Sequence, residues 1–216
     1  PIVPSMWLKA PEGVPRLISP RLIIMLSGYM AMKEFNFLEY LIDTSYRFDY
    51  AEIVSKETKR KLDKLLQKDF KRGLNNFIEN FDEIFQFLLD SNIINNNKAD
   101  MNAFIQQNKG RLFPTVIPVP SKLCFVVEST TSGSYIDKPI APAIEAVLTF
   151  SSIKNNPIPL KLATLQNWVA GALLKYAEFH GNYIKSRLAQ KPGLIRRHVL
   201  GGRLNFTARG VITSIS

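Results

Sequence analysis

The chain has 216 residues, of which 46% are hydrophobic, and this is enough for one large or two small domains with a buried core. Its formal net charge of +10 favours a polyanionic partner. The single cysteine excludes an internal disulfide framework and a cysteine-rich zinc site, and no uninterrupted apolar window reaches the length of about 18 residues that a membrane span requires.

The N-terminal part of the chain predicts helices. From Arg21 to Tyr40 apolar residues recur at helical spacing, and Ser19-Pro20 supplies a cap and a first turn. We therefore predict two helices joined near Glu34 to Asn36. The aromatic density of this stretch is typical of a core rather than of a ligand site.

Two different patterns follow before a polar loop predicted at Asn95-Asn96-Asn97. The run SKETKRKLDKLLQKDFKR, within residues 51–72, places acids and bases at i, i+4 spacing, which is typical of a solvent-exposed helix face. A nucleic-acid contact is less favoured there because the acids dilute the positive field. After Gly73 one amphipathic helix is predicted from an apolar stripe, whose members are Leu74, Phe77, Ile78, Phe81, Ile84, Phe85, Leu88 and Leu89.

Residues 113–142 change character. Cys124 to Val127 predicts a short apolar strand, and Ser129 to Tyr135 has the small, polar composition of a loop. Prolines bracket the β-branched residues that precede them, at Pro114, Pro118 and Pro120. Taken alone, the stretch predicts a surface hairpin.

Residues 143–190 predict two helices, the first from Ala143 to Ile153. The second carries apolar residues at alternating steps of three and four, which is the spacing of a heptad seam: Leu162, Leu165, Val169, Ala172, Tyr176, Phe179 and Tyr183. Such a seam either pairs with a partner helix along its length or is buried in an ordinary bundle. His180 falls beside the seam and is typical of a packed or surface imidazole rather than of a base. The expected fold class is mainly α with a small β part.

The stretch from Lys191 to Ile212 combines dense positive charge with glycines. It predicts a cationic loop or short helix, a turn at Gly201-Gly202 and then a strand. From Phe179 to the end the chain has no Asp or Glu, and its cations are Lys185, Arg187, Lys191, Arg196, Arg197, Arg203 and Arg209. Cations on a turn that leads into a strand, with glycines allowing close approach, suit a phosphate backbone. The other interpretation is a solvated basic face.

The order of residues in this stretch resembles the switch 2 segment and first barrel strand of the largest catalytic subunit, β′ in bacteria, of multisubunit DNA-directed RNA polymerases. The matching residues are Lys191, Gly193, Arg196, Leu200, Gly201, Arg203, Asn205, Phe206, Arg209, Val211 and Ile212. Gly202 stands where a lysine is usual, and Thr207 where a serine is usual. Thr115 to Pro120 is similar to a segment that precedes the family's lid loop, but the arginine that follows in the family is missing after Leu123.

The resemblance implies an organisation for the whole chain. Residues 1–112 would form a helical clamp portion and 113–142 a lid-like hairpin. Residues 143–190 would form the antiparallel clamp coiled coil and a rudder-like loop, and 191–216 the switch 2-like segment and the first strand of a double-psi β-barrel. The short first arm of the coiled coil and the absent zinc-binding cysteines are similar to the split polymerases of large bacteriophages.

The resemblance also implies an activity, DNA-templated RNA synthesis, and a set of nucleic-acid-binding residues. Four of these would hold the template backbone (Lys191, Arg196, Arg203 and Arg209), Arg197 would add a contact, and Lys185 and Arg187 would lie in the rudder-like loop. The family holds two magnesium ions on three aspartates of one barrel loop. No such triplet occurs in this sequence, so the chain would not catalyse alone, and Mg²⁺ would be held by residues outside it.

The implied partners are other RNA polymerase subunits, template DNA, the RNA–DNA hybrid and an initiation factor on the coiled coil. The implied location is the cytoplasm of a bacterial host, or a virion in which a phage-encoded chain is packaged. Two rival functions stay open. One is a non-enzymatic nucleic-acid-binding transcription regulator whose basic tail imitates switch 2, and the other is a coiled-coil structural interaction protein.

Overall fold

A computed structural model describes residues 6–30, 32, 34–94, 98–119, 127–130, 133–136, 139–183 and 185. The chain divides into two compact units, Pro1–His180 and Gly181–Ser216. The second unit is described only at Gly181–Tyr183 and Lys185.

Over the described residues the fold is mainly helical with two small antiparallel sheets, so the predicted fold class is confirmed at this level. The helices are α1 (Pro20–Met30), α2 (Phe37–Ile42), α3 (Lys56–Lys68), α4 (Leu74–Glu79), α5 (Phe81–Asp90), α6 (Lys98–Asn108), α7 (Ala141–Lys154) and α8 (Leu162–Tyr183). A 3-10 turn follows α6 at Lys109–Arg111. The strands are β1 (Met6–Lys9), β2 (Val116–Val119), β3 (Val127–Thr130) and β4 (Gly133–Ile136).

The two helices predicted near the N-terminus are confirmed as α1 and α2. Helix α1 begins at Pro20, where a missing N–H costs nothing, and the side chain of Asn36 caps α2 by accepting a hydrogen bond from the Glu39 N–H at 3.2 Å. The aromatic residues of this region form a core cluster, as predicted. Phe35 lies at its centre, with four rings whose centroids are 4.7 to 5.7 Å away: Phe37, Tyr40, Tyr46 and Phe48.

The charge run also forms the predicted helix, α3, with most of its charges in solvent. Ser55 caps it by accepting from the Thr58 N–H at 3.3 Å, and Asp69 ends it in a left-handed conformation. Leu62 and Leu65 are buried on the inner face. Helix α3 is therefore held to the body by a narrow apolar stripe.

The single helix predicted after Gly73 is wrong in one respect, because it is broken at Asn80 into α4 and α5. Asn80 ends α4, and both its N–H and its side-chain amide donate to the Asn76 carbonyl at 3.0 Å. The apolar stripe is nevertheless the core-facing side of both helices. Its buried members are Leu74, Phe77, Phe81, Ile84, Phe85, Leu88 and Leu89.

The proline-rich stretch behaves differently from the single surface hairpin that its composition predicts. Strand β2 pairs with β1 from the other end of the unit, in a register that joins Met6 to Val119 and Lys9 to Val116. The adjoining segments stay together, since Leu17 N–H donates to the Pro114 carbonyl at 2.8 Å. A local reading of the sequence could not have found this partner.

A second hairpin does lie where a local one is predicted. Strand β3 pairs with β4 in a register that joins Val127 to Ile136 and Thr130 to Gly133. The loop predicted from Ser129 to Tyr135 is therefore shorter than expected, because most of its residues belong to these strands.

Helices α7 and α8 occupy the positions predicted for them. The predicted seam residues of α8 from Leu165 to Phe179 are buried, but Leu162 is 52% exposed. Further residues of α8 are buried beside the seam, namely Ala170, Leu173 and Ala177. The apolar face is therefore wider than a two-helix seam needs. The coiled-coil pairing of α7 with α8 stays a prediction.

Candidate nucleic-acid interface

The predicted phosphate-binding residues fall almost entirely outside the described part of the chain. Lys185 is described and is exposed just after α8. The others lie outside the described residues: Arg187, Lys191, Arg196, Arg197, Arg203 and Arg209. The interface therefore stays a prediction, and the structure contributes the anchoring of α8, the helix that precedes it in the chain.

The first half of α8 is fixed by two polar side chains. The Gln166 Oε1 atom accepts a hydrogen bond from the Asn75 N–H at 3.0 Å, at the start of α4. The Asn167 Oδ1 atom accepts from the N–H of Thr44 at 3.0 Å and from its hydroxyl at 2.9 Å, just after α2. The bond from Asn75 satisfies an N–H in the first turn of α4, which has no partner within its own helix.

Arg72 binds the C-terminal end of α2 at the same junction, where α2 and the start of α4 meet α8. Its Nε donates to the Tyr40 carbonyl at 2.7 Å, and its Nη2 donates to the carbonyls of Asp43 at 2.6 Å and Tyr46 at 3.1 Å. The guanidinium also lies 4.1 Å from the centroid of the Tyr40 ring. Tyr40 and Asp43 are at the C-terminal end of α2, where carbonyls have no N–H partner within the helix. Arg72 supplies hydrogen-bond donors to these carbonyls and a positive charge that is favourable at this end.

Gly73 completes the junction because of its backbone conformation. Its φ is +120°, a region that side chains rarely adopt, and its N–H donates to the Leu41 carbonyl at 2.8 Å. A Cβ at this position would lie 3.2 Å from Gln166 Oε1. Glycine thus allows α8 to approach the turn closely.

The second half of α8 is tied to the sheet and to α7. The Tyr176 hydroxyl donates to the Pro118 carbonyl of β2 at 2.7 Å. Burial raises the pKa of Tyr176 to about 12, so the hydroxyl keeps its proton over the whole physiological range. Lys175 forms an ion pair with Glu145 of α7 at 3.2 Å.

His180 lies near the end of α8, and its surroundings suit a packed imidazole. Its Nδ1 atom is buried and has no hydrogen-bond partner among the described residues. Burial lowers the pKa of His180, and the nearby charge of Arg21 lowers it further. Both effects favour the neutral form of the ring, which suits a packed position.

Helix α3 presents a second cationic surface. Within the described ranges, Lys56 and Arg60 have no carboxylate within 4.0 Å. Other cations of the helix are engaged, since Lys61 pairs with Glu57 at 2.8 Å and Lys68 pairs with Glu83 at 3.2 Å. The face is consistent with the predicted solvated surface.

Sequence reasoning missed the residues that hold α8 in place. Thr44, Gln166 and Asn167 carry no local signal, because their partners lie about half the chain away in sequence. The one available signal was Gly73 between two predicted helices, which marks a point of close approach or of positive φ.

Across the described ranges, no cluster of three or more His, Cys, Asp or Glu side chains is placed to bind a metal ion. In the same ranges, no helix has the length and apolar character needed to cross a bilayer. A comparison of the chain with protein-family models and with curated proteins finds no match.

Proposed function

We propose that this chain is part of a DNA-directed RNA polymerase, a β′-like module that holds template DNA and the RNA–DNA hybrid near the active centre. The observation that carries the proposal is the order of residues from Lys191 to Ile212, in which cations, glycines and the residues of a following strand fall at the family's positions. The absence of any acidic residue after Glu178 in the sequence supports an anionic partner for this end.

The arginines of this segment suit phosphate binding for a chemical reason. A guanidinium is planar, stays charged and reaches two phosphate oxygens at once. In the proposed arrangement Arg196, Arg203 and Arg209 hold the template backbone with Lys191, and Arg197 adds a contact. Lys185 and Arg187 lie in the rudder-like loop that follows the coiled coil.

The rest of the fold supports the proposal through element order. In the proposed arrangement a helical portion comes first, the β3–β4 hairpin corresponds to the lid, and α7 and α8 correspond to the clamp coiled coil. The hydrogen bonds of α8 with Thr44, Asn75 and Pro118 hold this helix, as far as Tyr176, within the first unit. The first strand of the double-psi β-barrel would then begin near Arg203.

The chain does not catalyse alone in this proposal. The metal ions of the family neutralise charge on the reacting phosphates and are held on an aspartate triplet, which this sequence lacks. Mg²⁺ is therefore held by residues outside this chain, and the chain's own contribution is to hold and steer nucleic acid.

The salt dependence of DNA binding tests the phosphate contacts. The full chain is titrated onto a fluorescent DNA–RNA hybrid over a range of salt concentrations, alongside its Arg203→Ala variant. The logarithm of the binding constant falls as the logarithm of the salt concentration rises, and removing one phosphate contact should make this slope less steep by about 0.7 to 0.9. Arg60→Ala is the matched control, because Arg60 is an exposed arginine on α3 far from the segment in sequence. An unchanged slope in Arg203→Ala would refute the phosphate role.

Co-purification separates the proposal from its rivals. A polymerase piece should bring down large chains that carry an aspartate-rich metal loop. A lone transcription regulator should bring down DNA only, and a coiled-coil interaction protein should bring down itself or one partner helix. Either of the last two results would overturn the polymerase assignment.

A further inference from the structure

A groove of about 880 Å³ runs between β1 and α7 within the first unit. Its floor is formed by two buried leucines, Leu8 and Leu165, which are 2% and 8% exposed. Phe150 and Val147 of α7 form one wall, and Trp7, which is 51% exposed, lies on the other. A volume of this size and an apolar lining are typical of binding sites.

The groove follows the edge of β1 that faces away from β2, rather than one face of the sheet. Successive side chains of a strand point to opposite faces, yet Trp7, Leu8 and Lys9 all line the groove. Among the described strands, β1 pairs only with β2, so its other edge has no strand partner there.

The register shows which main-chain groups face that edge. Ala10 N–H donates to the Thr115 carbonyl at 2.9 Å, so the hydrogen-bonded positions of β1 are Ala10 and, two residues back, Leu8. Trp7 and Lys9 fall on the alternate positions, and their N–H and C=O groups point away from β2. Pro118 opposite Trp7 agrees with this, since a proline needs no N–H there and its carbonyl accepts from Tyr176 on the far side.

The charges at the groove indicate the chemistry of a partner. Lys9 and Lys154 are exposed on opposite walls, and neither has a carboxylate within 4.0 Å among the described residues. Glu12 is the one acid in the lining. The surface therefore combines strand groups that have no partner among the described strands, an aromatic groove and a positive rim.

We propose that the free edge of β1 and the groove beside α7 form a docking site for an extended acidic peptide segment of a partner protein. The segment adds a strand to β1 through the main-chain groups of Trp7 and Lys9. Its alternate side chains enter the groove against Phe150, and its carboxylates pair with Lys9 and Lys154. None of the predicted nucleic-acid-binding residues takes part, so the docking site and the proposed function are tested independently of each other.

A peptide-display selection tests the proposal. A random-peptide phage library is panned against the full chain, and the library is depleted beforehand on the Phe150→Glu variant. The enriched peptides should alternate acidic residues with β-branched or aromatic ones. Their binding is then titrated by fluorescence in a Trp168→Phe background, where Trp7 is the one remaining tryptophan and its emission should shift to the blue.

Three changes separate this site from other surfaces. Phe150→Ala should weaken binding about tenfold, as expected for a central aromatic contact. Lys154→Glu, an exposed change that leaves the core intact, should weaken acidic peptides in particular. Leu148→Ala is the matched control, because Leu148 is 60% exposed on the same helix and does not line the groove.

Main-chain pairing has its own signature. N-methylation of alternate peptide amides in one phase should abolish binding, and in the other phase it should leave binding unchanged. The proposal is overturned if no peptide is enriched or if binding is unchanged by Phe150→Ala and by N-methylation. It is also overturned if sedimentation shows self-association that Trp7→Ala abolishes.

Discussion

Among the described cations of the first unit, Arg72 is the one whose replacement should destabilise the chain most. The side chain makes three hydrogen bonds to main-chain carbonyls and lies against the ring of Tyr40. In Arg72→Ala the carbonyls of Asp43 and Tyr40 at the end of α2 lose their donors. The whole junction that holds α8 is then weakened, because Gly73 and Asn75 continue directly from Arg72.

The magnitude follows from these contacts. A hydrogen bond from a charged donor contributes about 1.5–3 kcal/mol, and a partly exposed cation–π contact adds about 0.5–1 kcal/mol. Arg72 is half-buried, water can replace part of what is lost, and the three bonds share one group. We therefore expect about 3–4 kcal/mol for Arg72→Ala. A lysine cannot reproduce the planar fork, so Arg72→Lys should still cost about 2 kcal/mol.

Urea denaturation followed by circular dichroism measures both variants. The expected result is a lower midpoint with an unchanged slope, because the surface exposed on unfolding stays the same. Arg60→Ala and Arg60→Lys are the controls and should stay within about 0.5 kcal/mol of the wild type. If Arg72→Lys is as stable as Arg60→Lys, the fork geometry does not hold the junction and the reasoning is wrong.

Three further predictions concern the core, the sheet and the pH dependence. Leu65→Ala should lower the free energy of unfolding by about 2–5 kcal/mol, whereas Leu66→Ala on the same helix, 40% exposed, should cost about 1 kcal/mol or less in the same urea assay. Tyr176→Phe should cost about 1 kcal/mol because a carbonyl of β2 loses its donor, while the exposed Tyr50→Phe should cost less. Since burial lowers the pKa of His180, the unfolded chain binds more protons below pH 6.5, and stability should fall there as acid is added. A pH series of unfolding curves should show a shallower fall in His180→Gln, and equal falls would contradict this assignment.

Helices with strong periodic patterns could be predicted from the sequence because their signals are local. The charge run predicts the exposed face of α3, and the seam predicts the residues of α8 that are buried from Leu165 to Phe179, although Leu162 at its start is exposed. The break between α4 and α5 at Asn80 was missed, although Asn80 is a residue type that favours helix ends. Hydrophobic periodicity continues across such a break and does not report it.

Contacts between distant parts of the chain could not be predicted in this way. The pairing of β1 with β2 and the hydrogen bonds between Asn167 and Thr44 depend on tertiary packing. The types of the residues involved do not specify which distant residue each one contacts. The candidate interface shows the opposite case. The order of residues from Lys191 to Ile212 indicates a chemistry, but those residues lie outside the described part of the chain.

The pairing of β1 with β2 has a consequence for synthesis of the protein. Strand β1 leaves the ribosome about 110 residues before its partner β2. The nascent chain must therefore carry an unsatisfied strand and its apolar neighbours until Val119 has emerged, and closing so long a loop is slow. A fragment that ends at residue 112 never supplies the partner, so we expect it to aggregate when it is produced alone.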